Sequence, residues 1–219
     1  MSITVLICVH SQNKTHDSFL EEALISLSNQ TFKDFKIFIV LDECWSKTKR
    51  LVKSFSSNFS FLEINIFERA KKEGLALAKN YGLSFVDTDY VAFLDADDFY
   101  EPEKLEKQWN FLQKNDVDFL GTQAWNINIS NRTVKTPSMF PSNSYNTHKE
   151  ISETIWHHNP LTHGSMLIKM ESLKKLNYYN NITGTEDWDL WQRAIKAGFK
   201  FHQLPDRLYV WCGGSSVPR

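Results

Sequence analysis

A single α/β domain with a Rossmann-like, mostly parallel sheet flanked by helices is the fold class this sequence predicts, and three observations predict it. Short, almost unbroken apolar runs recur, as expected of strands covered on both faces of a parallel sheet. Segments with apolar residues at helical spacing fall between those runs. The 219 residues, 42% of them hydrophobic, suffice for one core and show no internal repeat or second boundary.

Ile3 to Val9 is the first such run and belongs at the sheet centre. Ser18 with Glu21 three residues later reads as a capping box, and Leu20, Ala23, Leu24 and Leu27 follow at helical spacing. Lys36 to Leu41 is a second strand, and Ser46 opens a helix carrying Leu51, Val52 and Phe55 on one side. Phe61 to Phe67 alternates as a strand, Leu75 to Phe85 is helical, and Tyr90 to Leu94 is a buried strand that ends in acids. Pro102 suits a first helical position, with Glu101 and Glu103 near the positive end of the dipole, and the helix is expected to run to about Asn115. Asp116 to Asn128 reads as strand. The polar stretch Ser130 to Thr147 is long for a loop and is expected to be a lid over the site. Beyond it come a strand at Ser165 to Lys169, a helix from about Asp187 to Ala197 and a strand near Leu208 to Trp211.

Composition excludes several functions. The formal charge is −1 and no Lys/Arg run exceeds a pair such as Lys71-Lys72, so the basic footprint of a nucleic-acid or anionic-membrane binder is missing. No stretch approaches the roughly 18 apolar residues of a transmembrane helix, and the opening MSITVLICVH lacks the basic region of a secretory signal. Cys8, Cys44 and Cys212 have neither CxxC nor zinc spacing, which points to a reducing, cytoplasmic setting.

In parallel α/β sheets ligands bind beyond the C-terminal strand ends, and the chemically interesting residues fall there. Asp95, Asp97 and Asp98 crowd the end of the strand at Tyr90 to Leu94. Like charges this close repel unless a cation relieves them, and hard oxygen ligands suit Mn²⁺ or Mg²⁺ bridging to a diphosphate. The competing use is a polar turn with an Asp capping the next helix. Thr185-Glu186-Asp187-Trp188-Asp189 opens a later helix; one Asp there is a candidate general base, against helix capping by Thr185 and its acids. Asp42 and Glu43 end the second strand on the same rim, where a carboxylate accepts hydrogen bonds from a nucleobase or ribose. Gly74 permits close backbone approach, and Lys79 is either a phosphate or base contact or a solvated lysine. His157, His158 and His163 are candidate phosphate or acceptor contacts or satisfied surface histidines. Trp191 is expected in the core, with Trp188 and Trp156 forming an acceptor wall.

In order, these segments resemble glycosyltransferase family 2 with the GT-A fold, from residue 3 to about residue 200. ITVLICVH and the stretch from Leu20 to Glu43 look like the family's first strand, helix, Gln-Thr turn and second strand. EGLALAKNYG, FLDADDFYEPEKL with its DxD region, and TED before an amphipathic helix follow. The resemblance implies a nucleotide-binding half over about 1–98 and an acceptor-binding half over about 99–219. It also implies an inverting, metal-dependent transfer from a nucleotide-sugar, by family tendency a UDP-sugar, to a hydroxyl of a glycan or other acceptor. By that resemblance Asp42 and Glu43 lie by the nucleobase, and Asp95 lies by the ribose or metal. Asp97 holds Mn²⁺ or Mg²⁺, Asp187 is the base, and Glu186 assists or touches the acceptor. The chain departs from the family at Cys44-Trp45, where Gly-Ser is usual, at Lys79, where Arg is frequent, and in lacking a His over Tyr209 to Ser215. Two other functions use similar parts. A nucleotidyltransferase would want a Gly-rich loop where Ser11 to Thr15 has none, and a non-catalytic sugar-binding protein would be expected to have lost carboxylates that are all present here.

Overall fold

A computed structural model describes residues 2–128, 131–137 and 144–213, the side chains of 131–133 excepted. Its first half alternates strand and helix: β1 (Ile3–Val9), α1 (Lys14–Ser28), β2 (Phe35–Asp42), α2 (Ser46–Asn58), β3 (Glu63–Arg69), α3 (Leu75–Leu83) and β4 (Tyr90–Phe93). The second half holds β5 (Phe99–Tyr100), α4 (Lys104–Leu112), β6 (Phe119–Asn128), β7 (Asn131–Pro137), α5 (His148–Thr154), β8 (Leu167–Lys169), α6 (Met170–Lys175), α7 (Glu186–Lys196) and β9 (Phe201–Cys212).

One sheet runs β3-β2-β1-β4-β8-β6-β9-β5, with β7 paired to β6. The pairings of β1 with β2 and β4, β2 with β3, and β6 with β9 are parallel. The short β8 is antiparallel to both β4 and β6, so the sheet continues across residue 98 without a gap.

The unbroken apolar runs are explained by two cores, one on each face of the sheet. Ile3, Val5, Ile7 and Val9 of β1 and Ile37, Ile39 and Leu41 of β2 pack on the face bearing Leu20, Leu24 and Leu27 of α1 and Val52 and Phe55 of α2. Leu6, Phe38 and Val40 point the other way, into the core shared with Ala76 and Ala78 of α3 and Leu190, Trp191 and Ala194 of α7. Both rows of each strand are therefore buried, and alternation is erased from the sequence.

Several expected elements differ. Helix α1 starts at Lys14, where the Asn13 side chain accepts from the His16 amide at 3.0 Å; Ser18 lies inside the helix and donates to the Thr15 carbonyl. Pro102 precedes α4, because its carbonyl accepts from Thr31 N at 2.8 Å in a turn that joins the two helix ends. Within the expected lid, residues 131–137 form β7, a polar edge strand in a hairpin with β6; 130 and 138–143 lie outside the described residues. The final strand is longer than expected because β9 pairs along most of β6. Helices α5 and α6 and strand β5, of six, seven and two residues in the order α6, α5, β5, are too short for a periodicity to declare them. Among the described residues no helix is long and apolar enough to cross a membrane, and all three cysteines are free thiols.

Candidate active site

Two strands and a helix supply the acids of the candidate site. At the end of β2, buried Asp42 is paired with Arg69 at the end of neighbouring β3, the guanidinium Nη1 donating to Oδ1 at 3.1 Å. Desolvation raises the Asp42 carboxyl above its usual range and Arg69 opposes that rise. Arg69 also bonds Glu73 at 2.7 Å and approaches the Tyr81 ring, bordering an open cleft of about 530 Å³ with Glu68, Lys71 and Leu77. Sequence reasoning missed Arg69; its only signal was a cation at the end of an apolar strand.

Glu43 follows in the left-handed region (φ 53°), rare for a residue with a side chain. Its amide donates to the Arg69 carbonyl, and its carboxylate accepts from Lys72 N at 3.3 Å. Gly74 caps α3 at φ 109°, a conformation that favours glycine, although a Cβ there would meet only Asn181 Oδ1 at 3.8 Å. The need at Gly74 is thus conformational rather than spatial.

The acids after β4 are not equivalent. Asp95 and Asp97 are half-buried, whereas Asp98 is wholly buried, accepting from the Tyr209 hydroxyl and from Cys212 N at 2.7 Å. Burial, with Asp97 and Asp95 adding repulsion, raises the Asp98 carboxyl well above the ordinary range. Of the expected trio, two carboxylates face the rim and the third fastens β9. Among the described residues no group of three or more His, Cys, Asp or Glu side chains is arranged to hold a metal ion. Two hard carboxylates on one turn fit Mg²⁺ or Mn²⁺, which take remaining ligands from substrate phosphates and water.

Asp187 lies in the first turn of α7, half-buried, with Oδ2 accepting from Asn159 Nδ2 at 3.0 Å and Oδ1 from Trp188 N at 2.8 Å. Burial raises its carboxyl; the charge of Lys79 pulls it down and that of Glu186 pushes it up. Glu186 is buried in an ion pair with Lys79 of α3 at 2.9 Å. Lys79 is therefore neither the solvated lysine nor an open phosphate contact that the sequence suggested; its ammonium is 3% exposed as a residue and neutralises Glu186. Tyr179 lies between the two sides: its ring packs edge-on against Phe93 of β4 and lies beneath the Lys79 ammonium, and burial raises its hydroxyl well above its usual value. Beside it, burial pushes the Cys8 thiol up to about 12.

His163 is a core residue rather than a ligand contact, its Nε2 2.9 Å from the Tyr179 hydroxyl and its ring stacked near Trp191. Trp191 is fully buried, as expected. Trp188 donates to the Ile155 carbonyl beside the Asp187 turn. Trp156 is exposed, with the Lys196 ammonium 5.4 Å over its ring, and follows Ile155, the acceptor of the Trp188 bond.

The family model described as "Glycosyl transferase family 2" matches residues 4–176. An uncharacterized glycosyltransferase of Methanocaldococcus jannaschii, MJ1057, is 30% identical over 194 residues, 88% of this chain and 65% of that protein. The O-antigen biosynthesis glycosyltransferase WbnJ of Escherichia coli is 27% identical over 195 residues, 88% of this chain and 71% of its own. In structure the chain is similar to S. aureus TarS 1–349 in complex with UDP-GlcNAc, with a TM-score of 0.78 and 18% identity over 99% of this chain and 60% of that one. It is similar too to the mannosyltransferase PcManGT of Pyrobaculum calidifontis in complex with GDP-Man and Mn²⁺, with a TM-score of 0.75 and 19% identity over 98% of this chain and 57% of that one.

Proposed function

Because this chain belongs to glycosyl transferase family 2, we propose that it moves a sugar from a nucleoside diphosphate donor to an acceptor hydroxyl with inversion at the anomeric carbon. The observation that carries this reading is the packing of the α7 turn against the end of β4: Glu186, beside Asp187, is paired with Lys79 at 2.9 Å, Lys79 lies over the Tyr179 ring, and that ring packs on Phe93, two residues before Asp95. A donor-side and an acceptor-side carboxylate thus border one site, as direct displacement requires of a base opposite the leaving group.

In this reading the rim of β2 and β3 takes the nucleoside. Asp42, held by Arg69, and Glu43 accept hydrogen bonds from base or ribose, while Gly74, at positive φ, supplies the turn that opens α3 on the donor side. Asp97 and Asp95 would hold Mn²⁺ or Mg²⁺, and the chemistry such an ion supplies when bound is neutralisation of charge on the departing diphosphate. Asp187 takes the acceptor proton as the hydroxyl oxygen attacks the anomeric carbon. Burial raises its affinity for a proton above that of a solvated aspartate, and Asn159 and the Trp188 amide, one on each oxygen, fix its orientation. Glu186, occupied by Lys79, contributes a fixed charge beside the base. The residues up to about 98 form the donor half and those beyond it the acceptor half. The acceptor is a glycan or other hydroxyl compound.

For the donor, UDP is the first choice: TarS is seen with UDP and UDP-GlcNAc, although PcManGT is seen with GDP-Man. Calorimetric binding of UDP, GDP, CDP and dTDP, each with and without Mn²⁺, to the native chain and to Asp97→Ala tests the proposal. One nucleotide binding only with metal, and not to the variant, is expected; binding of none would sink it.

A further inference from the structure

Asp98 does not face the rim, yet the site is built around it. The hydroxyl of Tyr209, a residue of β9 with no exposed surface, donates to Asp98 Oδ2 and lies 3.5 Å from Asp95 Oδ2. Cys212 N completes Asp98 on its other oxygen at 2.7 Å, and Asp98 N closes the turn onto the Asp95 carbonyl at 3.1 Å. A residue more than a hundred positions away in sequence therefore sits between two carboxylates of the acid turn.

The route of the Tyr209 ring to that position is specific. A Cβ placed on Gly164 would come within 2.1 Å of the Tyr209 hydroxyl oxygen and 2.3 Å of Cζ, so only glycine at 164 leaves the ring its path. Gly164 itself lies in the single turn of 3-10 helix His163–Ser165, which is held by Ser165 Oγ donating to the Thr162 carbonyl at 2.8 Å. The hydroxyl has one proton and gives it to Asp98; with Cys212 N on the other oxygen, both oxygens of Asp98 are tied to β9. A carboxylate held on both oxygens is fixed in place, and through the Asp98 N bond to the Asp95 carbonyl it fixes the turn that carries Asp95 and Asp97.

We infer that Tyr209 is a positioning residue for the donor side: its hydroxyl, passing over Gly164, holds Asp98 and so fixes the turn on which Asp95 and Asp97 present their oxygens. The inference rests on the proposed use of those two carboxylates for a metal-bound diphosphate.

The test is Tyr209→Phe, which keeps the ring and removes the hydroxyl that holds Asp98. Binding of UDP and of GDP is measured by calorimetry across a Mn²⁺ series, with thermal unfolding alongside. The expected result is that Tyr209→Phe needs about 10- to 100-fold more Mn²⁺ for half-maximal nucleotide binding, the usual cost of losing a partner of a metal ligand, with near-native affinity restored at saturating Mn²⁺. A general loosening of the fold would lower affinity at every Mn²⁺ concentration instead, and would overturn the inference. Native binding together with an unchanged Mn²⁺ requirement in the variant overturns it also, and leaves the proposed function standing. Failure of the native chain to bind either nucleotide overturns the proposed function and this inference with it. Should Tyr209→Phe not fold, Tyr209→Phe/Asp98→Asn removes the buried charge left behind, while the turn still lacks the hydroxyl that holds it, and the same shift in Mn²⁺ requirement is expected.

Discussion

The acid turn after β4 and the acid turn that opens α7 look alike in sequence, each crowding three carboxylates into four residues, but the fold treats them differently. After β4 the buried acid, Asp98, is held by neutral donors, a hydroxyl and an amide. At α7 the buried acid, Glu186, is held by a cation, Lys79, while Asp189 is paired on the surface with Arg193 at 2.8 Å. The first arrangement keeps net negative charge on the turn, which suits attraction of a divalent cation. The second offsets it, leaving Asp187 as a partly desolvated carboxylate suited to taking a proton. Counting acids would not separate the two; the charge of the buried partner does.

The largest expected effect tests that division directly. Asp187→Asn should reduce transfer by about 10²- to 10⁴-fold, the range for removing a general base, while nucleotide affinity with Mn²⁺ stays native; equal loss of binding in calorimetry would refute its assignment as base. Asp97→Ala should do the converse, abolishing metal-dependent binding of the donor nucleotide. Lys79→Met breaks the ion pair from one side and strands a buried Glu186, at a cost of about 3–5 kcal/mol of stability, measured by denaturant unfolding. Lys79→Met/Glu186→Leu should recover most of that loss, and a double variant as unstable as the single would show that the pair is not what matters.

A smaller effect concerns pH. As the proposed base Asp187 has to be unprotonated, and its carboxyl is raised by burial, so on that proposal kcat should climb through an acidic limb lying above the ordinary aspartate value of 3.8. Removing Lys79, which lowers that carboxyl, should move the limb further up in Lys79→Met; an unmoved limb would deny their coupling. The smallest effect lies in the core between the two turns. Burial lowers His163 well below its usual 6.5, so the folded protein holds this proton less tightly than the unfolded chain does. The unfolded state then binds more protons in the window below about 6.5, and stability falls as pH drops through it, by at most about 1.4 kcal/mol per pH unit for one group. His163→Phe should flatten that part of the stability profile in urea titrations at several pH values.

Much of the first half was legible because its strands are buried on both faces and separated by helices long enough to show a period. Ile3–Val9 was placed to the residue, and the starts of α2 and α3 were correct. The second half was less legible where local signals compete. Asn13 rather than Ser18 caps α1, and Pro102 turns rather than starts α4, because a neighbouring loop takes its carbonyl. A polar edge strand such as β7 carries no apolar pattern at all. For the site, the acids themselves were visible as clusters after strands. Arg69 and Tyr209 were not, since nothing near them in sequence says which distant carboxylate they will meet.

By itself, then, the amino-acid order determined the class of fold, the strand-helix alternation of residues 3–93 and the identity of the acids at the strand ends. These follow from short-range properties: apolar runs, helical spacing and where charge interrupts them. Only the tertiary structure decided which acids are sequestered and by what: Asp98 by Tyr209 and Cys212, Glu186 by Lys79, Asp42 by Arg69. Each of those partners comes from another element, and a carboxylate's protonation and availability depend on the charge and solvent around it in space, which no local stretch of sequence contains.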